Sequence, residues 1–404
     1  MRVLTFLHSF EPGGVERIAL RLVRQWRALD VDAPLFLGRI DGDMLGDVGA
    51  DLDFILPPKA GSRLAKIEML WMIWVLPGVV RRVRPDVLFC AGNTYAVVAV
   101  ALKLWLGRDC PPILVKVSND LDRHDKPGWF RFLYRRWLQV QGRHLDHFIG
   151  METPMADEIR EGLGVSADRI TIIPDPALSR SLIERLRAGN GSGRREGVGR
   201  RFVCVGRLTP QKNVALMLRA FERGARKGDT LTVIGDGPER AKLEALARDL
   251  GLEGQVRFQG YVPEPASLLP AFDVLLLSSN YEGVPAVVLE ALAAGLPIVA
   301  TDCSRSMPTL LGHGAMGQLV PVGDEQALAE TIAKARPSSQ DKRLSLAQAQ
   351  RFTIEDASEA YLRVMARLCQ GAPYSKPGSL ALPPAPNFQD RLTNAVRPSW
   401  RRSN

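Results

Sequence analysis

Two alternating patterns of apolar residues run through almost the whole chain. Short runs of β-branched and aliphatic residues predict buried strands, and apolar positions three and four apart predict amphipathic helices. In the first half the runs place strands at Val3–Leu7, Pro34–Leu37, Asp53–Leu56, Val87–Cys90, Ile113–Val117, Asp146–Ile149 and Ile170–Ile173. Helical spacing occupies Val15–Leu29, Leu64–Val83, Tyr95–Leu106, Trp129–Gln141 and Pro154–Glu161. The pattern stops at Gly189-Asn190-Gly191-Ser192-Gly193, a polar glycine-rich stretch suited to a surface connection. It resumes with strands at Phe202–Val205, Thr230–Ile234, Val256–Phe258, Val274–Leu277, Ile298–Ala300 and Gln318–Val320. Between these, helices are expected at Val214–Lys227, Glu239–Asp249, Val287–Ala294 and Glu325–Ala335.

Alternation of strand and helix implies parallel sheets joined by crossover helices. The expectation is therefore an α/β protein of two facing Rossmann-like, doubly wound domains with a cleft between them. Residues 1–185 form the first domain, 186–200 a flexible linker and 201–352 the second domain. Residues 353–370 form a closing C-terminal helix, and 371–404 a basic tail. The tail is rich in Pro, Ser and Asn and carries five basic residues against one acid, which predicts poor order. A length of 404 residues agrees with two cores rather than one.

Composition narrows the class. Hydrophobic residues at 46% and charged residues at 24% are ordinary for a soluble globular protein. The opening Met1-Arg2-Val3-Leu4-Thr5-Phe6-Leu7 is too short an apolar run for a signal peptide and reads as a strand. The longest apolar stretch, Met69–Val80, is interrupted by Pro77 and falls short of the about 20 residues a membrane span needs. Cysteines 90, 110, 204, 303 and 369 are scattered without a CxxC pair, which fits free thiols in a reducing cytoplasm. His144 and His147 have no third ligand near them in the sequence, so no metal site is expected. The net charge of +9 is concentrated: from Arg123 to Arg143 six Lys/Arg stand against Asp125 alone, interleaved with Trp129, Phe130, Phe132, Leu133, Tyr134, Trp137 and Leu138. Such a helix suits an anionic membrane surface, and equally a half-buried helix with a solvated basic face. No nucleic-acid-binding signature accompanies it, so no nucleic-acid partner is expected.

The chemistry gathers in the second half. After the strand Val274–Leu277 comes Glu282-Gly283-Val284-Pro285, then a helix that contains Glu290. Two carboxylates flanking a helix start can grip hydroxyls while the helix end faces phosphate. The stretch resembles the E-x7-E motif of family 4 retaining glycosyltransferases, which have the glycosyltransferase B-type fold. Val205-Gly206-Arg207-Leu208-Thr209-Pro210-Gln211-Lys212-Asn213 resembles the G-R-L…K-N turn of the same family. The resemblance implies that Arg207 and Lys212 bind the donor diphosphate; two cations beside backbone N–H groups form a physically sensible anion site. Ile234-Gly235-Asp236-Gly237-Pro238 and Phe258-Gln259-Gly260 match the next two strand ends of the family.

In the first half, Pro12-Gly13-Gly14-Val15-Glu16-Arg17 resembles the glycine-rich loop of the family, where Gly13 and Gly14 let the backbone approach phosphate or acceptor. Many members carry a histidine after the strand corresponding to Ile113–Val117. This chain has Ser118-Asn119-Asp120, leaving Asn119, Asp120 and His124 as acceptor-side candidates. A second departure is Cys303-Ser304-Arg305-Ser306, where Gly-Pro-x-Glu is common.

The resemblance implies transfer of a hexose-type sugar, with retention, from a nucleotide-diphosphate sugar to a glycan or lipid-linked acceptor in cell-surface polysaccharide or glycolipid synthesis. Glu282 would hold the donor sugar, Glu290 the ribose, and Arg207 and Lys212 the departing charge, without a metal ion or other cofactor. Gly206, Gly235, Gly283, Val284 and Pro285 would line the donor. The expected location is cytoplasmic, peripheral at the inner face of the plasma membrane. A sugar-nucleotide epimerase and a degenerate sugar-nucleotide-binding scaffold stay open as alternatives. A dehydrogenase does not, since no G-x-G-x-x-G turn follows the first strand.

Overall fold

The computed structural model describes residues 1–11, 13–40, 42, 52–57, 68–121, 127–189, 199–336 and 341–371. His124, most of the glycine-rich connection and the tail lie outside the described residues. In chain order the first half runs β1 (Val3–Leu7), α1 (Gly14–Ala28), β2 (Leu35–Leu37), β3 (Phe54–Ile55), α2 (Glu68–Val83), β4 (Val87–Cys90) and α3 (Ala96–Leu106). It continues with β5 (Ile113–Lys116), α4 (Gly128–His144), β6 (His147–Gly150), α5 (Met155–Leu163), β7 (Ile170–Ile172) and α6 (Arg180–Ala188). The second half runs β8 (Arg201–Val205), α7 (Val214–Gly224), β9 (Thr230–Ile234), α8 (Arg240–Asp249), β10 (Val256–Gly260), β11 (Val274–Leu277), α9 (Ala286–Ala294) and β12 (Ile298–Thr301). It closes with α10 (Met307–Leu310), β13 (Gln318–Val320), α11 (Glu325–Lys334), α12 (Lys342–Ala349) and α13 (Ile354–Cys369).

Two parallel sheets result, in the orders β3-β2-β1-β4-β5-β6-β7 and β10-β9-β8-β11-β12-β13. Each order reverses once, at β1/β4 in the first sheet and at β8/β11 in the second. At such a reversal the crossover helices leave to opposite faces and open a crevice beyond the carboxyl ends of the strands. Central strands β1, β4, β5, β11 and β12 are buried along their whole length, which is why they read as unbroken apolar runs.

The final helix crosses back to the first half. Tyr361 of α13 packs edge-on against Trp26 of α1 and Phe89 of β4, with ring centroids 6.2 and 5.5 Å apart, and the Trp26 indole N–H donates to the Ser358 carbonyl. Helix α6, which the apolar pattern did not indicate, packs against α9 of the second half. The chain thus crosses between the halves twice, near residues 176–180 and at 352–354, where Leu178 pairs with Thr353. Lys116 at the end of β5 and Asp175, just before the first crossing, form an ion pair of 2.5 Å that is buried on both sides.

Candidate active site

The loops that leave the switch-point strands of the second sheet are bound to each other. After β8 the chain turns through Gly206 to Arg207 and on to Lys212 and Asn213, the N-cap of α7. After β11 it runs through Ser278, Ser279 and Asn280 to Glu282. The Asn280 N–H donates to the Gln211 carbonyl at 2.8 Å, the Asn280 side chain to the Pro210 carbonyl at 2.9 Å, and the Ser278 hydroxyl to the Lys212 carbonyl at 2.9 Å. This clamp brings the Lys212 ammonium 2.5 Å from Glu282 Oε1, which also accepts from the Ser279 hydroxyl at 2.7 Å. Burial works against the ammonium, but the adjacent carboxylate more than offsets it and holds the Lys212 pKa above the usual lysine value. Burial, reinforced by Glu282, pushes the nearby Cys303 thiol up, so it is an inert neighbour rather than a nucleophile.

Arg207, on the same turn as Lys212, is exposed. Gly235, at φ +139, lies so close to Gly206 that a Cβ would sit 2.0 Å from the Gly206 carbonyl oxygen, a position only glycine fills. The β8 and β9 turns are therefore pressed together beneath Arg207. Val284 and Pro285 are buried ahead of α9, whose first turn has no side-chain cap. Pro285 takes the N-cap position itself. Glu290, one turn into α9, points elsewhere than Glu282. Burial pushes its carboxyl up to about 7, against the pull of Arg21 and Arg17 on α1 of the first half. The two glutamates of the spacing motif thus have different neighbours, one inside the second half and one across the crevice.

The first sheet repeats the device at its own switch point. His8 follows β1 and Tyr95 follows β4; the His8 Nδ1 lies 2.5 Å from the Tyr95 hydroxyl, which donates to Glu16 Oε1 at 2.8 Å. Because the single phenol proton goes to Glu16, His8 must donate through Nδ1–H, and its Nε2 lies 3.7 Å from Glu11 Oε2. Gly13 caps α1 in extended geometry and Gly14 is its exposed first residue. Sequence reading named the glycines but missed His8, Glu16 and Tyr95. The available signal was their position just past the ends of β1 and β4.

The two halves touch at the predicted acceptor-side segment. The Asp120 N–H donates to the Glu282 carbonyl at 3.3 Å, and Asp120 Oδ2 accepts from the Arg305 N–H at 3.3 Å. Gly283 fits under Ser118 so closely that a Cβ would meet its carbonyl oxygen at 2.5 Å. Burial, and then the Glu158 carboxyl, push Asp120 up to about 8. Asn119 is half-buried on the same loop. His124 cannot be placed, since it lies outside the described residues. Of the predicted residues, the structure thus brings Lys212, Glu282, Gly283 and Asp120 to one interdomain edge, with Arg207 on the turn that carries Lys212.

Two parallel α/β domains meeting at aligned switch points define the B-type glycosyltransferase fold. The fold is shared with solved structures that include Anabaena Alr3699/HepE in complex with UDP and glucose, at a TM-score of 0.68, 21% identity and coverage of 91% of this chain and 99% of that one. A second is TarM of S. aureus, a variant in complex with UDP and other ligands, at a TM-score of 0.70, 11% identity and coverage of 90% and 100%. Residues 199–336 match the family model of group 1 glycosyl transferases, and residues 13–176 that of the glycosyl transferase 4-like domain. The chain belongs to the group 1 glycosyltransferases. It is 33% identical over 172 residues to the lipopolysaccharide core biosynthesis glycosyltransferase LpsE of Rhizobium meliloti, an alignment covering 41% of this chain and 49% of that protein. To the lipopolysaccharide 1,6-galactosyltransferase of Escherichia coli it is 23% identical over 322 residues, 77% of this chain and 82% of the other. The chain thus spans about half the length of LpsE and most of the Escherichia coli protein.

Proposed function

We propose that this protein is a retaining glycosyltransferase that moves a hexose-type sugar from a nucleotide-diphosphate donor to a glycan or lipid-linked acceptor in polysaccharide or lipopolysaccharide synthesis. The observation that carries the reading is the Lys212–Glu282 pair, clamped between the two switch-point loops, one of which carries Arg207, and facing Asp120 across the domain junction. Solved relatives of the same fold hold UDP and UDP-glucose, and curated relatives are named for lipopolysaccharide core and colanic acid synthesis, which supports the donor class and the pathway type.

In this reading the bond between the anomeric carbon and the diphosphate oxygen breaks, and the acceptor oxygen bonds to the same face of the sugar. The acceptor proton passes to the departing phosphate oxygen. Negative charge grows on the diphosphate as it leaves, and Arg207, Lys212 and the uncapped N–H groups of α9 stabilise it more strongly as it grows. Fixed cations in this role make metal-independent transfer the natural expectation. Glu282 holds a sugar hydroxyl and, through Lys212, the orientation of the cation. Glu290 binds the ribose. The His8 ring, fixed by Tyr95 and Glu16 behind it and with Glu11 beside its Nε2, is placed to hydrogen-bond an acceptor hydroxyl. Free, mostly buried thiols suit a cytoplasmic setting, where nucleotide sugars are used.

The test is binding and hydrolysis of a panel of UDP-, GDP- and ADP-sugars by wild type and Glu290→Ala. Selective binding of one nucleotide, weakened in the variant, is expected. Failure to bind any donor would transfer the weight to a degenerate scaffold. Conversion of the donor sugar without an acceptor would transfer it to an epimerase.

A further inference from the structure

Helices α2, α3 and α4 form one outer surface of the first half. Their crossovers, β3 to β4, β4 to β5 and β5 to β6, all advance the same way across the sheet, so right-handed connections put them on one face. They pack side by side, α2 on α3 and α3 on α4, while α1 and α13 cover the opposite face. Each presents large apolar side chains outward. On α2 these are Leu70 and Trp74, one turn apart, with Trp74 65% exposed. On α3 they are Leu104 and Trp105, the latter 52% exposed. On α4 they are Trp129, Phe132 and Leu133, with Trp129 68% exposed. Single exposed leucines need no explanation, but three tryptophans among seven large apolar groups on three adjoining helices form a patch of the kind that marks an interaction surface.

The charge on these helices identifies the partner. Over residues 68–84, 96–109 and 128–144, nine Lys/Arg stand against two Asp/Glu. Arg81, Arg82, Arg108, Arg135, Arg136 and Arg143 are exposed, and among the described residues none has a carboxylate within salt-bridge distance. Arg136 lies over the Phe132 ring, 5.4 Å from its centroid, so cation and aromatic share one spot on the surface. Tryptophans among unpaired arginines match the two layers of an anionic bilayer interface, acyl boundary and phosphate. A protein partner would have to desolvate six arginines and supply six acids to match them.

We infer that the α2–α3–α4 face seats the protein on an anionic membrane surface, with the tryptophans and Phe132 inserted and the arginines at the headgroups. No helix of the described residues is long and apolar enough to cross a membrane, so the attachment is to one leaflet. The face adjoins the active edge, since α4 begins eight residues after Asp120, which touches Glu282. The surface therefore extends the acceptor proposal: a lipid-linked acceptor held in the same leaflet would present its sugar beside the cleft.

The test uses the full chain without donor, so its outcome is independent of the transfer chemistry. Co-sedimentation is measured with vesicles of phosphatidylcholine alone and of phosphatidylcholine mixed with phosphatidylglycerol, for wild type, Trp74→Ser/Trp105→Ser/Phe132→Ser and Arg135→Gln/Arg136→Gln. Wild type is expected to bind only the anionic vesicles, with tryptophan fluorescence quenched by brominated acyl chains. Each arginine removed should weaken partitioning roughly fivefold, and the apolar variant should lose the quenching. Both variants should keep the melting temperature and donor hydrolysis of wild type, because the altered side chains are exposed. If the apolar variant does not fold, the arginine variant alone carries the test. Equal binding to neutral vesicles, no binding at all, unchanged binding by the arginine variant, or a dimer that buries these tryptophans in place of vesicle binding would each overturn the inference.

Discussion

Removing the Glu282 carboxylate is the sharpest perturbation of the site. Glu282→Ala leaves the Lys212 ammonium, 2.5 Å from its former partner, without a counter-ion, and leaves the Ser279 hydroxyl without its acceptor. Breaking a fully buried pair from one side costs about 3–5 kcal/mol, because the remaining charge stays desolvated. Here the Glu282 side chain is 9% exposed but that of Lys212 is 21% exposed, so water reaches the orphaned ammonium. The cost expected is therefore smaller, about 2–3 kcal/mol. At about 2–4 °C per kcal/mol for a domain of this size, the second domain should melt roughly 4–12 °C lower. Lys212→Met with Glu282→Ala removes both charges at once. Its melting temperature should recover most of the loss, giving a coupling of at least about 1 kcal/mol in a double-mutant cycle. Calorimetry on the four proteins supplies the cycle. If the two single losses add to the double loss within about 0.5 kcal/mol, the pair is not a coupled unit and the clamp argument fails.

Further predictions follow from other edges of the site. Arg207→Ala should weaken binding of whichever nucleoside diphosphate the donor panel selects by about 1.5–3 kcal/mol, the worth of a charged hydrogen bond, with no change in melting temperature, as isothermal titration and calorimetry would show. Glu290 is held neutral in the fold up to about pH 7, so the folded state binds more protons than the unfolded chain between the ordinary carboxyl range and that pH. Stability from this group is therefore present at low pH and lost as pH rises through that window. Glu290→Gln should match wild type near pH 4 and exceed it by about 3 kcal/mol at pH 8, and a pH-independent difference would contradict the assignment. Gly283→Ala puts a methyl group against the Ser118 carbonyl, so it should lower turnover at least about tenfold by separating the halves, while donor affinity changes little. His8→Ala should raise the acceptor KM and leave donor hydrolysis intact, a split that steady-state kinetics with varied acceptor resolves.

The second-half side of the candidate site was legible in the sequence because its parts are local. A strand, a glycine turn and a helix start lie within about ten residues, as in Val205 to Asn213 and Leu277 to Ala286, so residue spacing alone sets the relative geometry. The same holds for the strand ends, which the apolar runs placed within one or two residues. Helices α6 and α12 were missed: they are nine and eight residues long, too short for their apolar stripes to stand out from flanking charge. The acceptor side was less legible. His8 and Tyr95 are 87 residues apart, and nothing in either local sequence pairs them. Only the sheet order, which puts β1 beside β4, makes them neighbours.

The outer face shows a different limit. An apolar stripe on a helix is the sequence signature of burial, so periodicity alone does not separate Trp74 on α2 or Trp105 on α3 from core positions. Both helices carry more apolar residues than one buried stripe uses. Met72, Leu76, Val79 and Val80 fill the core side of α2, and Leu70 and Trp74 lie on the side left over. Helix α4 alone disclosed its outward chemistry, because its arginines are interleaved with its aromatics. Periodicity therefore finds which side of a helix is buried only when the other side is polar. Where both sides are apolar, as on α2 and α3, it takes the packing of the neighbours to show that one of them still needs something to cover it.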